Sequence, residues 1–344
     1  MFRYRQDILA ISYSARITST CIFLSLFLFS GICSSNELLI GTGDDSSFSY
    51  FAGKTICRSI KNHADYVTCR LVPIEEDADK LTNLQNDSID LALVSSKSIY
   101  DAFHSEGAFR YITIDYNNLR LLMPFYKSPV VLIARGDARI SELNDLIKKR
   151  VNSGAASTLE HQVFHKIMNI KGWNKEDFPM FQSLPRTFSQ DYLALKSGSV
   201  QAMLHVGMHP DGSIKLLLNQ SQSTLLGIDD PDIMQLVENN TGFSSCRIAA
   251  DTYPDIKNTI HTMAIETLLV ASAATDDDTV QLVLSALIES KPLLQYAHPS
   301  FLQQKINVSE LVDSYLHPHP SAILFFQTKR DLYSTEPAGK GTVE

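Results

Sequence analysis

The chain has 344 residues, more than one hydrophobic core usually serves and enough for two lobes. Its 44% hydrophobic and 20% charged content excludes a fibrous or extensively disordered chain. The formal charge of −8 argues against sequence-independent nucleic-acid binding, which needs a basic face, so no nucleic-acid partner is expected.

Arg3, Arg5 and Arg16 precede an apolar stretch from Cys21 to Cys33, which is followed by Ser34 and Ser35. Residues 1–35 read as a secretory signal peptide with a long basic leader. The apolar stretch is shorter than the ~20 residues that cross a bilayer, and Ile32 is not the small residue that lipid attachment wants before Cys33. Without this segment, which holds three Arg and one Asp, the body carries a formal charge of −10.

Alternation begins at once. "LLIGTG" reads as a strand, 49–62 as a helix, "YVTCRLV" as a strand, 77–86 as a helix, "IDLALVS" as a third strand and "KSIYDAFHS" as a short helix. Such spacing implies βαβ units and a mostly parallel sheet, the α/β class. Cys57 and Cys69, one on a helix and one entering a strand, can close a disulfide in an oxidising compartment. Cys246 is then odd, and reads as a buried small apolar residue.

"LRLLMPFYKSPVVLIAR", residues 119–135, holds two apolar runs broken by Pro124 and Pro129. It suits a segment leaving one lobe and entering another. The alternation then restarts with a helix over 141–149, the strand and loop "RVNSGAAST", a helix over 159–168, the strand "FPMFQSL", a helix over 188–196 and the strand "VQAMLHVG". A long β-like stretch, "IHTMAIETLLVASA", leads back towards the first lobe and is followed by one helix over "DDDTVQLVLSALIESKPLLQYA". The end, "STEPAGKGTVE", reads as disordered.

Two loops share one physical form, a strand, a small-residue turn and a helix N-terminus: residues 41–49 and 152–160. Helix N-termini carry unsatisfied N–H groups and the positive end of the dipole, which suit an anion; an ordinary capped helix is the plainer alternative. Gly41 and Gly43 hint at a dinucleotide fingerprint, but Ser46 stands where its third glycine would be. His161 and His165 share one helix face as in a zinc protease, yet Gln162 replaces the glutamate base, so a solvated histidine pair is expected and no metal or other cofactor. "HPHP" at 317–320 reads as a rigid extended turn. No "GxSxG" elbow is present, so no catalytic residues are assigned.

These stretches, in this order, resemble the TAXI family, the extracytoplasmic solute-binding subunits of TRAP transporters. "LIGTG…SYFAGKTICRSI…VTCRLV" is similar to that family's first loop, helix and cysteine pair. "LTNLQNDSIDLALVSSKSIYDAF" is similar to its segment ending in a polar ligand loop, and the 119–158 stretch to its crossing segment with a tyrosine and a Gly/Ser/Thr loop. "ALKSGSVQAML", "DTYPDIKNTIHTMAIETLLVAS" and "HPSAILFFQTKRDL" are similar to later landmarks.

The resemblance implies a two-lobed periplasmic-binding-protein-like fold of type II, with an interlobe cleft. Its lobe borders would be 36–125, 126–249 and a return to the first lobe over 250–330, with a disordered tail at 331–344. It implies a non-enzymatic, periplasmic protein that captures a small carboxylate or amino acid, such as glutamate, a dicarboxylate or a keto acid, and delivers it to TRAP membrane permease subunits. Implied ligand contacts are Gly43, Ser46 and Ser47 in the first loop, Ser95 and Ser96 after the third strand, Tyr126 at the crossing, and Gly154, Ser157 and Thr158 in the second lobe. A relative that has lost transport and acts as a ligand sensor or exported antigen would share these features. A secreted metal-dependent hydrolase using His161 and His165 is the remaining alternative.

Asp44 and Asp45 depart from the family's Gly/Thr-rich loop, as does the turn Glu75-Glu76-Asp77, and Lys97 replaces a more usual acid or amide. Lining the cleft, Asp44 and Asp45 would repel a carboxylate by ~4 kcal/mol at ~4 Å and turn that half towards an ammonium group. Pairing with Lys97 would restore an anion site, and simple helix capping would explain both acids without a ligand.

Overall fold

The computed structural model describes residues 37–155, 158–182, 188–239, 241–303 and 316–333. The signal segment 1–35, Ser157 and the tail from 334 lie outside the described residues. Two units are set apart along the chain, Met1–Glu37 and Leu38–Glu344; of the first only Glu37 is described.

The first strands and helices follow the alternation: β1 (Glu37–Thr42), α1 (Phe48–His63), β2 (Thr68–Pro73), α2 (Asp77–Gln85), β3 (Leu91–Ser95) and α3 (Ser96–His104). β4 (Leu119–Arg135) is one unbroken strand of 17 residues. Then come β5 (Arg150–Asn152), α4 (Leu159–Lys171), β6 (Met180–Gln182), α5 (Phe188–Ser197), β7 (Ala202–Val206), α6 (Gly212–Ser221), β8 (Ser223–Gly227), α7 (Pro231–Glu238) and β9 (Phe243–Ile248). The return strand β10 (Ile260–Ser272) is followed by α8 (Asp277–Glu289), α9 (Lys291–Ala297) and α10 (Pro320–Tyr333).

The strands order as β2-β1-β3-β10-β4-β7-β5-β6, with β8 beside β4 and β9 beside β10. β1 and β3 run parallel, and so do β5, β6 and β7; β10 and β4 are antiparallel to their neighbours. β4 spends its first part against β10, from Leu119 to Pro129, and its last part against β7 and β8, from Val130 to Arg135. Pro124 does not break it, because the ladder to β10 shifts register there, where a missing N–H and an extra residue are tolerated, and Pro129 stands where β4 changes partner from β10 to β7 and β8.

The apolar side chains separate at this crossing. One core gathers buried residues between Leu38 and Tyr126, Met208, and those from Leu268 to Phe326. Beyond it the period-2 geometry of β4 sends Val130, Leu132 and Ala134 into a second core, and Val131 and Ile133 into a third on the other sheet face. Tyr253 and Ile256 still pack in the third core and Ile265 in the second, so the chain rejoins the first core near Leu268 rather than at 250.

Several expectations need correction. Residues 141–149 form only a 3-10 turn, Leu143–Leu146, because Glu142 and Asp145 cap each other around it and Lys148 takes a left-handed conformation, φ +63°. The single helix expected after "DDD" is two, parted at Ser290 with Pro292 opening the second. Residues 331–333 continue α10 instead of belonging to the tail. Among the described residues, no helix is long and apolar enough to cross a membrane.

Candidate functional site

The strand ends of the two lobes point at one another. β1 and β3 deliver their C-terminal loops to one side of the crossing, and β5 and β7 deliver theirs to the other, because β7 and β5 run opposite to β4. Three of these four turns end on a hydroxyl cap, Ser47 accepting from the Tyr50 amide, Ser95 from Ser98 and Thr158 from His161, while the turn after β7 ends on the carboxylate of Asp211, which accepts from Ile214.

Those hydroxyls are fully engaged. Ser47 Oγ donates to Asp44 O at 2.7 Å, Ser95 Oγ to Ser98 Oγ at 2.8 Å and Thr158 Oγ1 to Ala155 O at 2.9 Å. What each turn leaves for a ligand is its remaining first-turn N–H groups, since one cap satisfies only one of several orphan donors. Gly43 lets the first turn fold tightly: its N–H donates to Ser49 Oγ at 2.7 Å, and a Cβ there would stand 2.6 Å from Ser47 Oγ. Gly154, at φ +86°, supplies the left-handed turn ahead of Thr158.

Asp44 turns back on its own loop, its Oδ1 accepting from Ser46 N–H at 2.8 Å and Ser46 Oγ at 2.7 Å. These bonds hold its carboxyl below the usual range, and both Asp44 and Asp45 are exposed. Lys97 pairs with neither. Its ammonium is buried against Asp101, one helical turn along α3, which corrects the pairing entertained from the sequence. Ser96 joins the two lobes, its Oγ donating to Gly242 O at 2.7 Å and accepting from Glu266 N–H at 3.0 Å. Ser157 lies outside the described residues.

Behind the loops sits a polar group that the sequence did not disclose. Asp77, last of the Glu75-Glu76-Asp77 turn, accepts from Ser95 N–H at 3.0 Å and pairs with Lys80 at 2.6 Å, while Lys80 also donates to Leu93 O at 3.1 Å. Burial pushes the Asp77 carboxyl up, but Lys80 and the Ser95 amide outweigh it, and the net pKa lies below the ordinary value. Tyr126 is buried, stands opposite Thr267 in the β4–β10 ladder, and packs edge-on against Phe48 at 5.1 Å. Burial pushes its phenol well above the ordinary value.

Across the crossing, His209 is buried, its Nδ1 2.5 Å from the Tyr253 hydroxyl, which also accepts from Asp211 N–H at 3.0 Å. Burial lowers its pKa to about 3. Ser300 Oγ donates to His209 O at 3.4 Å, and His298 Nε2 donates to Pro210 O at 3.1 Å, tying the loop after β7 to the first lobe. Farther out, Lys166 of α4 reaches Glu106 at 3.8 Å and lies over the Tyr100 ring at 5.4 Å. His161 and His165 stand 4.2 Å apart ring to ring, with Ser153 Oγ 3.2 Å from His161 Nδ1. Among the described residues, no group of three or more His, Cys, Asp or Glu could hold a metal ion.

A cavity of about 780 Å³ opens beside the crossing strands. It is bounded by β4 between Pro124 and Pro129, by Pro210, by 245–248 of β9 with Ala249 beyond it, and by Pro299, Ser300, Leu302 and Gln303. Of the residues expected at the ligand, only Tyr126 borders it. Cys57 and Cys69 form a disulfide with Cα atoms 5.3 Å apart. Cys246 is not buried as expected; it is half-exposed and borders the cavity.

This fold is similar to that of a TctC solute-binding protein from Polaromonas, 12% identical, with a TM-score of 0.53 over 77% of this chain and 88% of that one. Lower scores relate it to PhnD1 from Prochlorococcus marinus in complex with methylphosphonate (TM-score 0.46, 10% identical, 87% and 99% covered). The periplasmic aliphatic sulphonate-binding protein of Escherichia coli scores 0.44, at 15% identity and 86% and 89% coverage. The architecture is the two-lobed α/β fold of periplasmic solute-binding proteins. The chain belongs to the NMT1-like family, which it matches over residues 40–329.

Proposed function

We propose that the chain is an extracytoplasmic solute-binding protein of the TAXI type, which captures a small carboxylate or amino acid between its lobes and hands it to the permease subunits of a TRAP transporter. One observation carries the reading: helix N-termini on loops of both lobes converge on a single crossing made of two strands. The first-turn amides of α1, α3 and α4 beyond the capped ones suit a carboxylate, with Gly43, Ser95, Tyr126, Gly154 and Thr158 shaping the cleft around it. The lobes that close are 38–126 with 268–326, and 130–265.

Membership of the NMT1-like family and the solute-binding fold support this reading. The disulfide supports an oxidising compartment, in keeping with the basic and apolar N-terminal segment and a periplasmic location. The family and the fold support a binding role rather than an enzymatic one.

Mass spectrometry of small molecules released on denaturing the purified protein tests the proposal, followed by calorimetry with glutamate, succinate and alanine. A carboxylate ligand is expected, bound more tightly than alanine. Finding no copurified carboxylate and no heat of binding with any of the three would overturn it.

A further inference from the structure

We propose that the cavity beside β4 and β9 is a second binding site, for a small organic carboxylate with a flat apolar body, held by Arg247. The inference does not rest on the ligand proposed for the strand-end loops. The cavity's volume, about 780 Å³, is that of a small-molecule site. None of its described bordering residues is Asp or Glu, although the chain as a whole carries −8.

Its two cations are not equivalent. Lys127 is already committed, pairing with Glu266 at 3.1 Å and donating to Ser245 O at 3.1 Å. Arg247 is exposed on β9, and among the described residues no carboxylate pairs with it. A guanidinium presents a planar fork that takes a carboxylate through two parallel bonds. His261 is its cross-strand partner in register on β10 and also borders the cavity, so a second N–H donor stands beside the fork. Pro124, Phe125 and Leu302 supply the apolar wall.

The site is distinct from the strand-end loops because adjacent β4 residues send their side chains different ways. Tyr126 packs on Phe48 and borders the cavity, whereas Lys127 turns to β9, and none of Gly43, Ser95, Gly154 and Thr158 borders it. Both lobes contribute walls, so affinity here depends on the angle between them, and occupancy must bias that angle in return.

Fluorine NMR with 4-fluorobenzoate, titrated into the full chain, reads the site directly, with neutral 4-fluorobenzamide as the control. Saturable benzoate binding is expected, weakened at least about tenfold by Arg247→Gln and within about twofold of wild type in Ser95→Ala. Arg247→Lys, which keeps the charge and loses the fork, should fall between the two and covers the case in which Arg247→Gln misfolds. Equal binding of benzoate and benzamide, wild-type affinity in Arg247→Gln, or no saturation would overturn the proposal.

Discussion

Replacing Asp77 by Asn keeps the outline of the side chain and removes the charge that balances Lys80. Lys80 is buried, with Leu93 O as its one other partner among the described residues, so its ammonium would be left without a counter-charge. Removing one member of a buried pair costs about 3–5 kcal/mol. Asp77 keeps about a fifth of its side chain exposed, and the Asn oxygen can still accept from either Lys80 or the Ser95 amide. We therefore expect a loss of about 2–3 kcal/mol at pH 7, read by urea unfolding with circular dichroism.

Because Asp77 titrates below its ordinary value when folded, its contribution is present above the unfolded carboxyl value of about 3.9. It is lost as pH falls through the lower folded value. The stability gap between wild type and Asp77→Asn should accordingly narrow on acidification. Adding Lys80→Met should restore much of the loss, since an uncharged pair needs no counter-charge. A gap below about 1 kcal/mol at pH 7, or one that widens in acid, would refute the reasoning.

Two further substitutions test the packing that holds the loops. Gly242→Ala puts a Cβ 2.7 Å from Lys97 Cα and 2.9 Å from Ser96 O, on a residue at φ +81°. Left-handed strain and overpacking together should cost about 2–4 kcal/mol, seen as a lower midpoint on thermal unfolding; an unchanged midpoint would contradict the tight turn over α3. Cys57→Ser opens a loop spanning a sequence separation of 12, worth about 3 kcal/mol in urea unfolding. Reductant should lower the wild-type midpoint to a similar degree and leave the variant unmoved.

The first half of the fold was legible because its signals are local. Ser47, Ser95 and Thr158 announce helix starts, and the apolar runs of β1, β3 and β10 announce strands. The 141–149 segment misled because its helical pattern is overruled by a capping box and a left-handed residue. Elements α6, β8, α7 and β9 were not foreseen, since short strands such as Ser223–Gly227 carry too few residues to show a period.

At the site, the turns were visible but the use of their hydroxyls was not. A serine at a helix start reads equally as a cap or a ligand donor, and only the bonds of Ser47 and Ser95 decide between them. From the sequence Lys97 was weighed against Asp44 and Asp45 alone; the i, i+4 spacing to Asp101 on α3 was the local signal for the pair that forms. Asp77 and Lys80 stand i, i+3 on α2, so their spacing was visible although their burial was not, whereas His209–Tyr253 depends on distant segments meeting and had no local signal.

The long strands β4 and β10 have a mechanical consequence. The second lobe enters at Val130 and leaves near Ile265, and Pro129 and Ala264 at those ends are register partners in one ladder. The lobes are thus joined by two rigid tethers side by side, with no slack to be lost on closing. Translation and most rotations are suppressed by that double strap, which leaves bending of a paired ribbon as the soft degree of freedom. Search for the partner face is then nearly one-dimensional, and little entropy separates an open molecule from a closed one.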